Sequence, residues 1–353
     1  MPNRPFPPPI VARLATFLVS LVLALAATEW ATRRWIETPA TAVLSLRFGV
    51  VHRPHVRLVF STEGWSEQVT NAYGFVDQEV RAQRPRIRAL LLGDSFSEGL
   101  ETAQRLRLDQ VAERADPGLE VINTGGPRKF MAHYAAFLPE FQKEFSPDVV
   151  VVQVDDGDVP DLADPQMLVE VREQVAGRSK FPLADAPPPR MWLGRLRELL
   201  RQSGMLRRVY AHLDLLSIQE RARFLRKFGL IPPEPADAQR SIPERARIEA
   251  DSLLDAIIAV NPRVVLLYVP HLGYFARPPV HAEPASRAFW HALAERHDVL
   301  LVDPTDAMLA DYERTGQPLH GFSNSTIGAG HINARGHAVI GRLMAQAIET
   351  VAR

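Results

Sequence analysis

Ile87-Arg88-Ala89-Leu90-Leu91-Leu92-Gly93-Asp94-Ser95 is the stretch on which the fold turns: a short, almost unbroken apolar run that stops at a Gly-Asp-Ser triplet. A near-continuous apolar strand is what a parallel sheet covered on both faces requires, whereas a half-exposed antiparallel strand would alternate. Four further runs of this kind follow, at Leu119–Asn123, Val149–Val154, Val264–Val269 and Val299–Val302. Helical patterns lie between them, around Arg105–Ala115, Lys129–Phe145, Ile248–Val260 and Ala285–Arg296, with a last one over Ala334–Ala352. The alternation predicts an α/β fold, a three-layer α/β/α domain around a five-stranded parallel sheet.

The 353 residues suffice for one large domain with additions. Lys and Arg number 41 and Asp and Glu 41, so the basic excess of nucleic-acid binders is missing and no nucleic-acid partner is expected. Cysteine is absent, which excludes disulfides, thiolate metal sites and cysteine nucleophiles. Compartment is read from the N-terminus, where Arg4 and Arg13 precede the uncharged apolar run Leu14–Ala27, followed by Trp30, Arg33, Arg34 and Trp35. This is a membrane anchor with an interfacial girdle, or a signal peptide cleaved near Ala24-Leu25-Ala26; a helix buried in a soluble core is the bland alternative. Either of the first two puts the main domain outside the cytoplasm, periplasmic in a Gram-negative cell, and secreted if the segment is cleaved. The expected organisation is an anchor or signal over 1–35, a connecting segment over 36–84 and the α/β domain over 85–353, with a helical insert at about 162–247. That insert holds Pro187-Pro188-Pro189 and the apolar-basic stretch Met191–Leu216, read as a solvated helical cap or as a lid or membrane-surface contact.

Ser95 falls at the carboxyl end of the first strand, the edge at which open α/β sheets bind ligands. Its hydroxyl can face the mouth of the sheet while amides of the next helical turn face a developing oxyanion. Plain helix capping by Asp94 and Ser95 competes with that reading. Near the other end of the chain, Gly330-His331-Ile332-Asn333-Ala334-Arg335-Gly336-His337 opens the last helix. There His331 would act as general base to Ser95, unless His331 and His337 are cap or surface histidines. Strand two runs into Asn123-Thr124-Gly125-Gly126-Pro127, where a glycine permits close backbone approach to a substrate or simply turns the chain. Strand three runs into Asp155-Asp156-Gly157-Asp158-Val159-Pro160-Asp161, read as a surface or site-edge cluster in preference to a cation site, so no metal is expected. No Gly-x-Gly-x-x-Gly follows the first strand, and no cofactor is expected.

In order and placement, Gly93-Asp94-Ser95 and His331-Ile332-Asn333-Ala334-Arg335-Gly336-His337 resemble the SGNH/GDSL hydrolases, which carry Gly-Asp-Ser after strand one and His-x-Asn-x-x-Gly-His near the C-terminus. The resemblance runs from roughly Asn71 to the end, the insert excepted. Asn71-Ala72-Tyr73-Gly74-Phe75-Val76-Asp77 looks like the lead-in of many bacterial membrane-anchored members. It implies a flavodoxin-like sheet, Ser95 as nucleophile, His331 as base, and oxyanion donors from the Ser95 amide, Gly125 and an asparagine after strand three. Two positions depart. Aspartate stands where that asparagine belongs, at Asp158 with Asp156 as alternative, so either a buried carboxyl is protonated or the third donor is missing. The acid that orients the family's histidine falls on Gly328, which leaves a Ser–His dyad, a backbone carbonyl, or a carboxylate from another loop such as Asp303 or Asp306. The implied function is an extracytoplasmic serine esterase or O-acyltransferase on acyl esters, with envelope polysaccharide as the substrate class by analogy. The other reading is a catalytically impaired scaffold that binds or helps assemble envelope glycan.

Overall fold

The computed structural model describes residues 10–38, 41–178, 181, 183, 203–206, 241–276 and 278–353. The proline cluster at 187–189 and most of the stretch 191–216 lie outside the described residues, and with them the expected cap or lid.

Two compact units are formed, one from 1–40 with 188–233 and one from 41–187 with 234–353. In the first, helix α1 (Ile10–Ala31) continues as one π-helical turn to Ile36, giving 27 apolar-rich residues, long enough to cross a membrane. None of α1 is buried, which removes the reading of a core helix. Glu29 accepts hydrogen bonds from Ser203 Oγ (2.8 Å) and from the amides of Gly204 (2.9 Å) and Met205 (3.1 Å) in the same unit.

The second unit opens with two antiparallel hairpins, β1 (Ala42–Ser45) with β2 (Gly49–His52) and β3 (Arg57–Phe60) with β4 (Ser66–Val69). The segment read as a connector is thus built structure. The parallel sheet follows: β5 (Ile87–Leu92), β6 (Leu119–Asn123), β7 (Val149–Asp155), β8 (Val264–Val269) and β11 (Leu300–Val302), with the short hairpin β9 (Leu272–Gly273) and β10 (Val280–His281) between the last two. Its spatial order is β6-β5-β7-β8-β11, or 2-1-3-4-5 by order along the chain. The order reverses between β5 and β7, the kind of switch point beyond whose carboxyl strand ends open α/β sheets bind ligands.

Both faces are buried, as the apolar runs require. Leu90, Leu92, Val150, Val152 and Leu266 point into one core with Phe137, Leu254 and Trp290. Ala89, Leu91, Val149, Val151 and Val265 point into the other with Leu108, Met308, Ile340 and Met344. Each such leucine or valine contributes about 1.5–3 kcal/mol of burial. The family-like lead-in turns out to be architectural. Asn71 Oδ1 accepts the amides of Tyr73 (3.0 Å) and Phe75 (3.1 Å). Gly74 has φ +83°, and a Cβ there would lie 2.0 Å from His52 O. Phe75 fills the core against Phe48 and Phe141.

Candidate active site

The turn after β5 is shaped by close approach. A Cβ on Gly93 would sit 2.3 Å from Ser97 Oγ and 2.7 Å from Gln153 Oε1, so only glycine lets β7 come this near. Gln153 Oε1 accepts the Asp94 amide (3.1 Å) and the Ser97 hydroxyl (2.8 Å), while Asp94 caps the short helix α2 (Ser95–Glu98) by accepting the Phe96 amide (2.8 Å). The capping falls to Asp94, and Ser95 is left partly exposed at the sheet edge. The Ser95 amide, at the first helical position, has no intrahelical acceptor.

His331 arrives from the loop before the final helix, Ala334–Ala352. Asn333 caps that helix through the amides of Arg335 (3.0 Å) and Gly336 (3.4 Å) and donates to Pro318 O (2.9 Å). Gly336 permits close packing, since a Cβ would lie 2.7 Å from Leu319 O. His337 is buried and accepts the Leu108 amide at Nδ1 (3.3 Å); burial holds its pKa down at about 3. Its role is structural. His331 differs: its Nε2 lies 2.9 Å from Ser95 Oγ.

Asp303 and Asp306, the acids expected beside His331, have other partners. Asp303 is taken by Arg287 Nε (2.6 Å), His291 Nε2 (2.7 Å) and the Thr305 amide (2.9 Å), and Asp306 is exposed beside Arg287. Glu63, in the turn between β3 and β4, meets His331 instead: Oε2 lies 2.7 Å from Nδ1, and Oε1 accepts the His331 amide (3.1 Å). An ionised carboxylate only accepts, so the ring proton sits on Nδ1 and Nε2 is free to accept from Ser95. The turn is clamped to the histidine loop by Asn324, which accepts the Gly64 amide (2.8 Å) and donates to Gly64 O (2.8 Å) and Ser61 O (3.1 Å). A Cβ on Gly330 would lie 2.3 Å from Glu63 Oε1, and one on Gly328 would lie 2.6 Å from the Phe275 ring. Gly328 is bare because an aromatic ring occupies its flank, and the carboxylate comes from a different element.

Electrostatically the pair is well matched. Burial works against charge on Glu63, but the hydrogen bonds and charge of His331 outweigh it and hold the carboxyl below its ordinary range. Burial likewise opposes a charged His331, yet Glu63 and Glu101 prevail and raise its pKa above the ordinary 6.5. Glu63, Glu101 and His331 place their ligand-type atoms within 4.8 Å of one another. With Nδ1 on Glu63 and Nε2 on Ser95, this is the geometry of a proton relay.

The expected oxyanion donors fare unevenly. The Gly125 amide is committed, donating to Asn123 Oδ1 (2.9 Å), while Asn123 Nδ2 donates to Ser97 O (2.7 Å). Asn123 folds over its own turn and staples it to α2, and a Cβ on Gly125 would lie 2.4 Å from Glu98 N. Glycine is required there by the neighbouring helix. Asp156 accepts the Tyr268 hydroxyl (2.5 Å) and the His271 amide (2.8 Å), and so binds β7 to β8 as an acceptor. Asp158 accepts the Asp155 amide (3.0 Å); burial, with Asp155 and Asp94 close by, pushes its pKa well up.

No family model and no curated protein matches the chain. Among solved structures it is similar to a lipase/acylhydrolase from Enterococcus faecalis, with 15% identity over 75% of this chain and 96% of that one and a TM-score of 0.39. It is similar also to a lipolytic protein of the G-D-S-L family from Desulfitobacterium hafniense, with 11% identity over 74% and 99% and a TM-score of 0.35. An acetylxylan esterase from Geobacillus stearothermophilus, in a catalytic mutant, gives 12% identity over 76% and 96% and a TM-score of 0.38. Likenesses this distant bring no chemistry to the chain.

Proposed function

We propose that the protein is a serine esterase or O-acyltransferase in which Ser95, His331 and Glu63 act as a triad. The observation that carries the reading is the unbroken line Ser95 Oγ, His331 Nε2, His331 Nδ1, Glu63 Oε2, joined at 2.9 and 2.7 Å. Ser95 Oγ attacks the acyl carbonyl as His331 Nε2 takes its proton. The tetrahedral intermediate collapses to the Ser95 ester, and the proton goes to the leaving alcohol. Water or a sugar hydroxyl, deprotonated by the same nitrogen, then attacks the acyl-enzyme, and Ser95 regains its proton. Glu63 stabilises the imidazolium between these steps. The developing oxyanion meets the Ser95 amide at the start of α2, while burial, which pushes the Asp158 carboxyl well up, lessens the repulsion that an ionised aspartate in the asparagine's place would exert. An apolar helix long enough to span a bilayer supports an extracytoplasmic site, tethered near envelope polysaccharide as the acyl-ester substrate.

A fluorophosphonate probe tests this. Labelling of Ser95 in the parent, lost in Ser95→Ala and strongly reduced in His331→Ala, is the expected result. Absence of label at every pH would favour a glycan-binding protein without turnover, a reading that the committed Gly125 amide favours and Glu63 disfavours.

The pH dependence follows from the histidine. Turnover needs the neutral imidazole, whose pKa stands above 6.5 because Glu63 and Glu101 outweigh the effect of burial. Activity is lost as pH falls through that raised value, so kcat/KM for a p-nitrophenyl ester is expected to climb along a limb centred above 6.5. A limb centred below it contradicts the Glu63 pairing.

A further inference from the structure

Glu101 lies just beyond α2 and is 5% exposed. Its Oε1 is 3.5 Å from His331 Nδ1, the nitrogen already engaged by Glu63. Among the described residues its carboxyl has no arginine or lysine within ion-pair distance; the charge it meets is that of His331. The titratable groups around the pair come from every neighbouring element. Glu63 stands on the β3–β4 turn, Glu98 on α2 with its partner His52 from β2 (2.8 Å), and Arg107 packs beside Gly99 ahead of helix α3 (Leu108–Ala115). His320 and His337, both buried, flank the histidine loop.

We propose that Glu101 is a positioning residue that shares one proton with His331 and so sets how steeply the base form of the histidine appears with pH. The inference rests on the triad reading above. A buried carboxyl with no fixed cation carries charge at low cost only while the imidazole beside it is charged. Two arrangements of equal net charge therefore compete. In one the proton is on Glu101 and the imidazole is neutral and able to accept from Ser95. In the other the proton is on Nδ1 and Nε2 both, with Glu101 ionised, and the base is blocked. Burial pushes the Glu101 carboxyl up to about 7 while the charge of His331 opposes that rise, and Glu101 in turn helps to raise His331, so the two groups titrate as a pair. Proton loss from the pair then belongs to both groups and spreads over two steps.

The test is the titration of the His331 ring by NMR in the Ser95→Ala background, with and without Glu101→Gln, the signal being assigned by its loss in His331→Gln. The expected parent curve is broadened beyond a one-proton curve. With Glu101→Gln it collapses to a single proton and is complete at a pH where the parent has reached only about half its change. In the Ser95-intact protein the same twofold shortfall should appear in kcat/KM relative to its own plateau, with KM unchanged. A one-proton curve in the parent, or superimposable curves for parent and Glu101→Gln, overturns the proposal. The parent curve alone decides if the variant does not fold. The NMR readout needs no turnover, so a protein that fails to label at Ser95 yet shows the two-step titration would sink the esterase reading and leave this one standing.

Discussion

Glu63→Gln is expected to lower kcat about ten-thousandfold, the size of effect seen when a triad loses the charge that orients its histidine. The replacement is nearly isosteric, so the β3–β4 turn and the Asn324 clamp on Gly64 should survive. What changes is the ring. A carboxylate accepts at Nδ1 and fixes the proton there, whereas the glutamine amide can donate to Nδ1 and stabilise the tautomer with its proton on Nε2. That nitrogen then faces Ser95 Oγ at 2.9 Å with nothing to accept a proton. The imidazolium formed during attack also loses its counter-charge. Steady-state hydrolysis of a p-nitrophenyl ester measures the effect, with circular dichroism confirming the fold. Asp303→Asn and Asp306→Asn, the acids expected from the sequence, should stay within about twofold of the parent on the same reasoning, since neither touches His331. Retention by Glu63→Gln of a tenth or more of parental kcat would remove Glu63 from the mechanism.

Why the sequence discloses Ser95 and His331 and not Glu63 is a matter of what local pattern encodes. Ile87–Leu92, Leu119–Asn123 and Val264–Val269 form strands at the residues their apolar runs delimit, because each is buried on both faces and nothing competes with burial. A serine at the end of such a strand, and a histidine just ahead of a helix capped by Asn333, inherit their positions from those elements. Glu63 has no such register. It is one exposed-looking acid in Ser61-Thr62-Glu63-Gly64, a hairpin turn whose docking onto the histidine loop depends on Asn324. The faint signal was the glycine at 330, which makes room for the carboxylate. For Gly125 the local pattern is silent in another way: its amide donates to the side chain of Asn123, a contact that depends on a rotamer and not on the sequence around the turn.

Arg107→Ala is expected to destabilise the folded protein by about 3–5 kcal/mol, the cost of stranding a buried charge partner. The guanidinium is fully buried and donates to Asp109 through Nε (3.0 Å) and Nη2 (2.7 Å), to Gln68 Oε1 (2.9 Å) and to Val76 O, with Asp77 3.5 Å away. Asp77 in turn accepts the Asn123 amide (2.8 Å), so one cation ties the lead-in segment, the end of β6 and the start of α3 together. Without it, Asp77 and Asp109 face each other in a dry interior. Burial first, and then Asp109, already pushes the Asp77 pKa well up, with Arg107 opposing. A carboxyl whose folded pKa is raised loses stability as pH rises through that value. The deficit of Arg107→Ala should therefore be larger at pH 7 than at pH 5, which urea unfolding of the full chain in detergent can compare. A deficit under about 1 kcal/mol at pH 7 would mean that the surrounding hydrogen bonds satisfy the two acids alone. The knot also reaches the helix that carries Ser95: Gly99, which ends it with φ +59°, lies so close to the Arg107 side chain that a Cβ there would be 2.8 Å from Arg107 Cδ. Loosening Arg107 therefore frees the helix that carries Ser95, so kcat should fall together with stability and not independently of it.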